Sequence, residues 1–124
     1  MPVLPAPPSH THAVGPTRFT SLATPSRGAS DVSVWQVEVA PGPPGVTHQL
    51  TRPEVFVVLS GRAAVVLGEK RLEAAAGDTI VVPPDTDFAL GAAGEEPLRA
   101  VVVLPPGGQA RMPGGEPFTP PWAE

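Results

Sequence analysis

The sequence predicts an all-β protein, and three observations carry that prediction. Of the 124 residues, 19 are proline and 13 are glycine; proline removes a backbone donor and clashes with the preceding turn, so such a chain holds few helices. No window sustains apolar residues at helical spacing, and the nearest candidate, the alanine-rich stretch from Leu72 to Ala76, is one turn long. Short β-rich runs instead recur between glycine and proline turn signals, the pattern of a sandwich or barrel rather than of strand–helix alternation.

Taken in order, residues 1–16 hold five prolines and little to bury, which predicts an extended arm, either disordered or laid along a neighbour. The compact core is expected over 17–104. Its strands fall at Arg18 to Leu22, Val32 to Val39, Glu54 to Leu59, Ala63 to Leu67, Arg71 to Ala74, Thr79 to Val82, Asp87 to Leu90 and Arg99 to Leu104. Turns separate them at Ser60-Gly61-Arg62, Gly68-Glu69-Lys70 and Ala76-Gly77-Asp78, and Gly61 supplies a positive φ that other residues adopt at a cost. Short antiparallel connections of this kind suit a jelly roll closed into a small barrel. Residues 105–124 are again poor in apolar side chains, yet they end in Phe118-Thr119-Pro120-Pro121-Trp122. Each aromatic left in water would forgo roughly 2 to 3 kcal/mol of burial, so both are expected to dock on this barrel or on a second subunit.

Composition removes several classes of function. The chain has no cysteine, which excludes disulfides, thiolate nucleophiles and sulfur-ligated zinc. Twelve acidic against eight basic residues give a net charge of -4, with the basic ones scattered, so nucleic acid is not an expected partner. The opening residues lack the basic and apolar regions of a secretory leader, and the apolar runs are strand-sized, so a cytoplasmic protein without membrane contact is expected.

Two spaced motifs carry the chemistry. The first runs Gly42, five residues, His48, Gln49, Leu50, three residues, Glu54, six residues, Gly61; the second runs Gly77, five residues, Pro83, Pro84, Asp85, two residues, Phe88. Together they resemble the two motifs of the cupin superfamily over residues 32–104. The resemblance implies a double-stranded β-helix, or jelly-roll, barrel in which two histidines and a glutamate of the first motif and one histidine of the second hold a divalent metal. His48 and Glu54 match two of these ligands, whereas Leu50 and Phe88 occupy the other two positions. Asp85 replaces the central glycine of the second motif and Ala92 its asparagine.

Leucine and phenylalanine offer no lone pair, and a stable transition-metal site needs three or four protein ligands. No cofactor is therefore expected; if a divalent metal were bound, His48 and Glu54 would be its ligands, with His10, His12, Asp85 or Asp87 as further donors. Period-two alternation puts His48 and Leu50 on one face, turned to the interior. An inward Glu54 must then pair, with His48 as the natural partner, or take up a proton, because Leu50, Phe56, Val58 and Phe88 around it push its pKa upward.

Two functions fit these residues. One is a binding protein whose barrel takes a small apolar or mixed ligand among Trp35, Leu50, Phe56, Val58, Phe88 and Leu90, with His48 and Glu54 as polar handle and Gln49, Thr51 and Arg52 at the mouth. The other is an enzyme: an isomerase, cyclase or lyase using a His48/Glu54 acid–base dyad, or a metal-dependent enzyme with an unorthodox ligand set. The arm and the aromatic tail need somewhere to lie, and a homodimer is expected.

Overall fold

The structure is a computed structural model that describes residues 3–124. Eleven strands form: β1 (His12–Val14), β2 (Thr17–Ala23), β3 (Ser33–Val39), β4 (Gln49–Leu50), β5 (Glu54–Ser60), β6 (Arg62–Leu67), β7 (Lys70–Ala75), β8 (Thr79–Val82), β9 (Phe88–Ala93), β10 (Leu98–Leu104) and β11 (Ala110–Arg111). One-turn 3-10 helices at Pro25–Arg27 and Pro121–Ala123 are the only helical elements among the described residues, as the proline content requires. No helix among them is long and apolar enough to cross a membrane.

A six-stranded antiparallel sheet has the order β1-β2-β3-β10-β5-β8 and faces a three-stranded sheet, β7-β6-β9. The pair β11-β4 continues the second layer, because the chain leading into β4 is bridged to β9 at Pro41, Gly42 and His48. This is the jelly-roll barrel of the sequence expectation. Strict alternation builds its core. In β3, Ser33, Trp35, Val37 and Val39 are buried and the residues between them are not; in β10, Leu98, Ala100, Val102 and Leu104 do the same. These side chains pack with Leu50, Phe56, Val58, Val82 and Phe88 into one cluster.

Differences from the sequence expectation are local. The alanine-rich Leu72 to Ala76 stretch is strand β7 rather than a helical turn, because Arg62 to Leu67 pairs along its whole length and overrides alanine's helical preference. The expected free arm folds onto its own sheet: His12, Ala13 and Val14 pair with Phe19, Arg18 and Thr17. The arm's first two residues lie outside the described ones. At the other end, Trp122 stacks on Phe19 with ring centroids 3.7 Å apart. Ser21 Oγ donates to the Trp122 carbonyl at 2.8 Å and Ser33 Oγ to that of Ala123 at 2.6 Å. Trp122 docks on its own barrel, but Phe118 does not share its fate and stays 41% exposed.

Candidate functional site

The site is built on the segment from Gly42 to Glu54, which crosses the mouth of the barrel beside β9. Gly42 and Gly45 donate their amides to the carbonyls of Ala92 and Leu90 at 3.2 and 3.0 Å, and His48 and Phe88 exchange both backbone hydrogen bonds at 2.9 Å. Gly91 permits the close approach, since a Cβ there would lie 2.8 Å from the Pro44 nitrogen and 2.9 Å from the Pro43 carbonyl carbon.

His48 is half-buried, its Nδ1 lies 3.0 Å from the Val46 carbonyl oxygen, and its ring meets that of Phe88 edge-on at 5.6 Å. Phe88 in turn contacts Phe56 at 5.4 Å, so an unbroken line of rings leads from the mouth into the core. Glu54 shares the inward face of β5 with Phe56 and Val58 and lies opposite the fully buried Val82. Desolvation pushes its carboxyl from the ordinary 4.5 up to about 8, so it holds its proton at neutral pH.

The two retained residues do not form a bonded pair. The ion pairs among the described residues are Arg62–Glu73, Arg99–Glu38 and Arg111–Asp85, and His48 bonds backbone. Of the two outcomes open to an inward carboxylate, Glu54 takes the proton. The expected pocket wall is packed core: Trp35 and Leu50 are 2% exposed, Phe56 5%, Val58 and Phe88 1%, and only Leu90 is partly buried.

Open space lies instead at the mouth. A cleft of about 100 Å³ is lined by His48, Gln49, Asp87, Arg111, Met112, Pro113 and Gly114. Arg111 Nη2 donates to Gln49 Oε1 at 3.1 Å and to Asp85 Oδ1 at 2.6 Å, while Gln49 Nε2 donates to Asp87 Oδ1 at 2.9 Å. Thr51 and Arg52 face the other way: Thr51 Oγ1 accepts from the Gln109 amide at 2.9 Å and Arg52 reaches the Pro106 carbonyl at 3.4 Å. Arg111 was not legible in sequence. It belongs to a two-residue strand inside a segment read as tail, too short to show any period; its register opposite Gln49 is what brings it to the site.

The donor set does not fit the family's metal. Leu50 and Phe88 fill two ligand positions with hydrocarbon, which leaves two of the four donors, and no group of three or more His, Cys, Asp or Glu that could hold an ion occurs among the described residues. His12 lies on the β1 edge near Trp122, at 6.4 Å between rings, and His10 borders a cleft with Arg18, Thr20, Gln36, Glu38 and Arg99, so neither joins His48.

The cupin domain model matches residues 35–117. The chain belongs to the cupin family. Cupin structures similar to it include a cupin-like protein from Thermotoga maritima, at 22% identity and a TM-score of 0.73 over 86% of this chain and 85% of that one. The polyketide cyclase RemF from Streptomyces resistomycificus is 22% identical, with a TM-score of 0.71 over 79% and 71% of the two chains. KdgF from Halomonas sp. is 20% identical, with a TM-score of 0.66 over 78% and 86%. At these identities the likeness is one of fold. No curated protein matches the sequence.

Proposed function

We propose that this cupin binds a small molecule of mixed polar and apolar character at the barrel mouth and does so without a tightly held metal. One observation carries the reading: the cleft offers the His48 imidazole, the Gln49 amide and the Arg111 guanidinium beside Met112 and Pro113, directly outside positions where Leu50 and Phe88 leave no place for an ion. A few convergent polar groups against an apolar wall is the usual composition of a ligand site. The ligand's polar end meets His48 and Arg111, and its apolar part lies against Met112 and Pro113.

A set of small aromatic acids and amides, screened by amide chemical-shift changes, tests this. Binders are expected to move Gln49, Arg111 and Met112, and His48→Ala should weaken them about tenfold, the worth of one good hydrogen bond. Metal analysis of tag-free protein should find far less than one ion per chain. Near-stoichiometric metal, or binders indifferent to His48, would overturn the proposal.

A second reading is an isomerase, cyclase or lyase in which Glu54, whose pKa burial raises to about 8, supplies a proton; since Glu54 is 4% exposed and does not line the cleft, this reading requires the substrate to enter the core. The similarity to a polyketide cyclase is consistent with it. Turnover of a bound fragment that disappears in Glu54→Gln would select this reading over binding alone.

A further inference from the structure

We infer that Asp85 sets the ligand class of the mouth cleft: by occupying Arg111 it makes the site select a neutral or cationic group that donates hydrogen bonds and reject a carboxylate. Granted ligand binding at the mouth, on which this rests, the chemistry of the cleft wall decides what is held. Asp85 is the one non-glycine residue with a positive φ, 56°, among the described residues. The cupin motif gives this position to glycine, which adopts it freely, whereas a side chain here is held at a cost in strain. The Asp85 amide keeps the backbone in place by donating to the Leu50 carbonyl at 2.8 Å. In exchange the chain has an ion pair, Arg111 Nη2 lying 2.6 Å from Asp85 Oδ1.

The same network fixes the remaining polar groups. Arg111 Nη2 carries two protons, and Asp85 Oδ1 and Gln49 Oε1 accept both. Gln49 Nε2 then donates to Asp87 Oδ1 at 2.9 Å, and a reversed amide would set two donors against each other. His48 Nδ1 faces the Val46 carbonyl, an oxygen that only accepts, so in the uncharged ring the proton is on Nδ1 and Nε2 is left as an acceptor.

Charge points the same way. One guanidinium, already paired, stands against two carboxylates, Asp85 and Asp87, and the acceptors of the wall are His48 Nε2 and the Asp87 carboxylate. Such a wall attracts N–H and O–H donors. An incoming carboxylate finds Arg111 engaged and Asp87 beside it, and selectivity rests on this repulsion as much as on the attraction. An aromatic amide or amine fits, with its ring against Met112 and Pro113.

Titration with benzamide, benzylamine and benzoate at about pH 8, where the amine is charged and the acid ionised, is the test, followed by the amide chemical shifts of Gln49 and Arg111. The amide and the amine should bind the parent protein about tenfold or more tighter than the acid. Asp85→Asn and Asp85→Gly both accept a positive φ and both remove the carboxylate, so each should keep the fold, lift benzoate affinity about tenfold and weaken benzylamine. Glu73→Gln removes the same charge on β7 and should leave the preference unchanged. Benzoate bound as well as benzamide, with His48→Ala still weakening both, would overturn the role of Asp85 and leave ligand binding at the mouth intact. A preference that survives both Asp85 variants would do the same. If none of the three fragments moves Gln49 or Arg111, the binding site and its selectivity fall together.

Discussion

Phe88 stands directly across from His48: each donates its amide to the other's carbonyl at 2.9 Å, and their rings meet edge-on at 5.6 Å. An imidazole at 88 would therefore face His48 over the same ladder position, and Leu50, two residues along, is the other place the family fills with histidine. In the metal-free protein, Leu50→His and Phe88→His should each cost roughly 2 to 4 kcal/mol, since each trades buried hydrocarbon for a polar ring without a partner. The double variant restores a four-donor set with His48 and Glu54. Zinc should raise its melting temperature while leaving the parent protein's unchanged, as binding to the folded state alone requires. A thermal scan with and without zinc decides it; a double variant blind to zinc would show that the backbone no longer holds the metal geometry.

Glu54 sets a pH dependence opposite to that of an ordinary ion-paired carboxylate. Its folded pKa of about 8 lies above the unfolded 4.5, so between these values the folded state holds a proton that the unfolded state has lost. Stability therefore falls as pH rises through that window and levels off above about 8. From pH 4.5 to neutrality the loss should reach about 3 kcal/mol, at 1.36 kcal/mol per unit. Glu54→Gln should abolish this slope and be the more stable protein above neutral pH. Urea unfolding across the range measures it, and parallel curves for the two proteins would contradict the assignment.

The sheet was legible in the sequence because its strands are long enough to show a period. All eight expected strands form, with ends displaced by a residue or a few, such as Asp87 to Leu90 extending over Phe88–Ala93. What the sequence hid are pairings of two or three residues: His12–Val14, Gln49–Leu50 and Ala110–Arg111 are too short for alternation, and only their tertiary partners make them strands. The site divides along the same line. His48, Glu54, Leu50 and Phe88 follow from motif spacing, whereas Arg111 reaches the mouth through a pairing with Gln49, 62 positions earlier in the chain, which no local pattern announces.

Gly61 closes the first motif and turns β5 into β6 with φ of 75°. Two separate constraints act on it. The positive φ disfavours any side chain, and a Cβ would overlap the Pro97 carbonyl oxygen and approach the Leu98 Cα to 3.1 Å. Because both neighbours are backbone, nothing flexible can give way, and Gly61→Ala should cost more than the usual 1 kcal/mol of a left-handed alanine, about 2 to 3 kcal/mol. By contrast, Gly68→Ala meets no atom within 4 Å at a similar φ of 61° and should cost only the conformational share. Equilibrium unfolding of the two variants separates steric overlap from backbone strain.

The tail supplies a last contrast, between two aromatics that composition alone treats alike. Trp122 stacks on Phe19 at 3.7 Å and 8°, and the flanking carbonyls accept from Ser21 and Ser33. Phe118 exchanges two backbone bonds with Ala110, and the residue is 41% exposed. Trp122→Ala should therefore cost about 2 to 3 kcal/mol, from lost burial plus the stacking increment, and should quicken amide exchange along β2, which loses its cover. Phe118→Ala should cost under about 1 kcal/mol and leave that exchange unchanged. Equal effects of the two substitutions would mean that the tail is held by its serine hydrogen bonds and not by the indole.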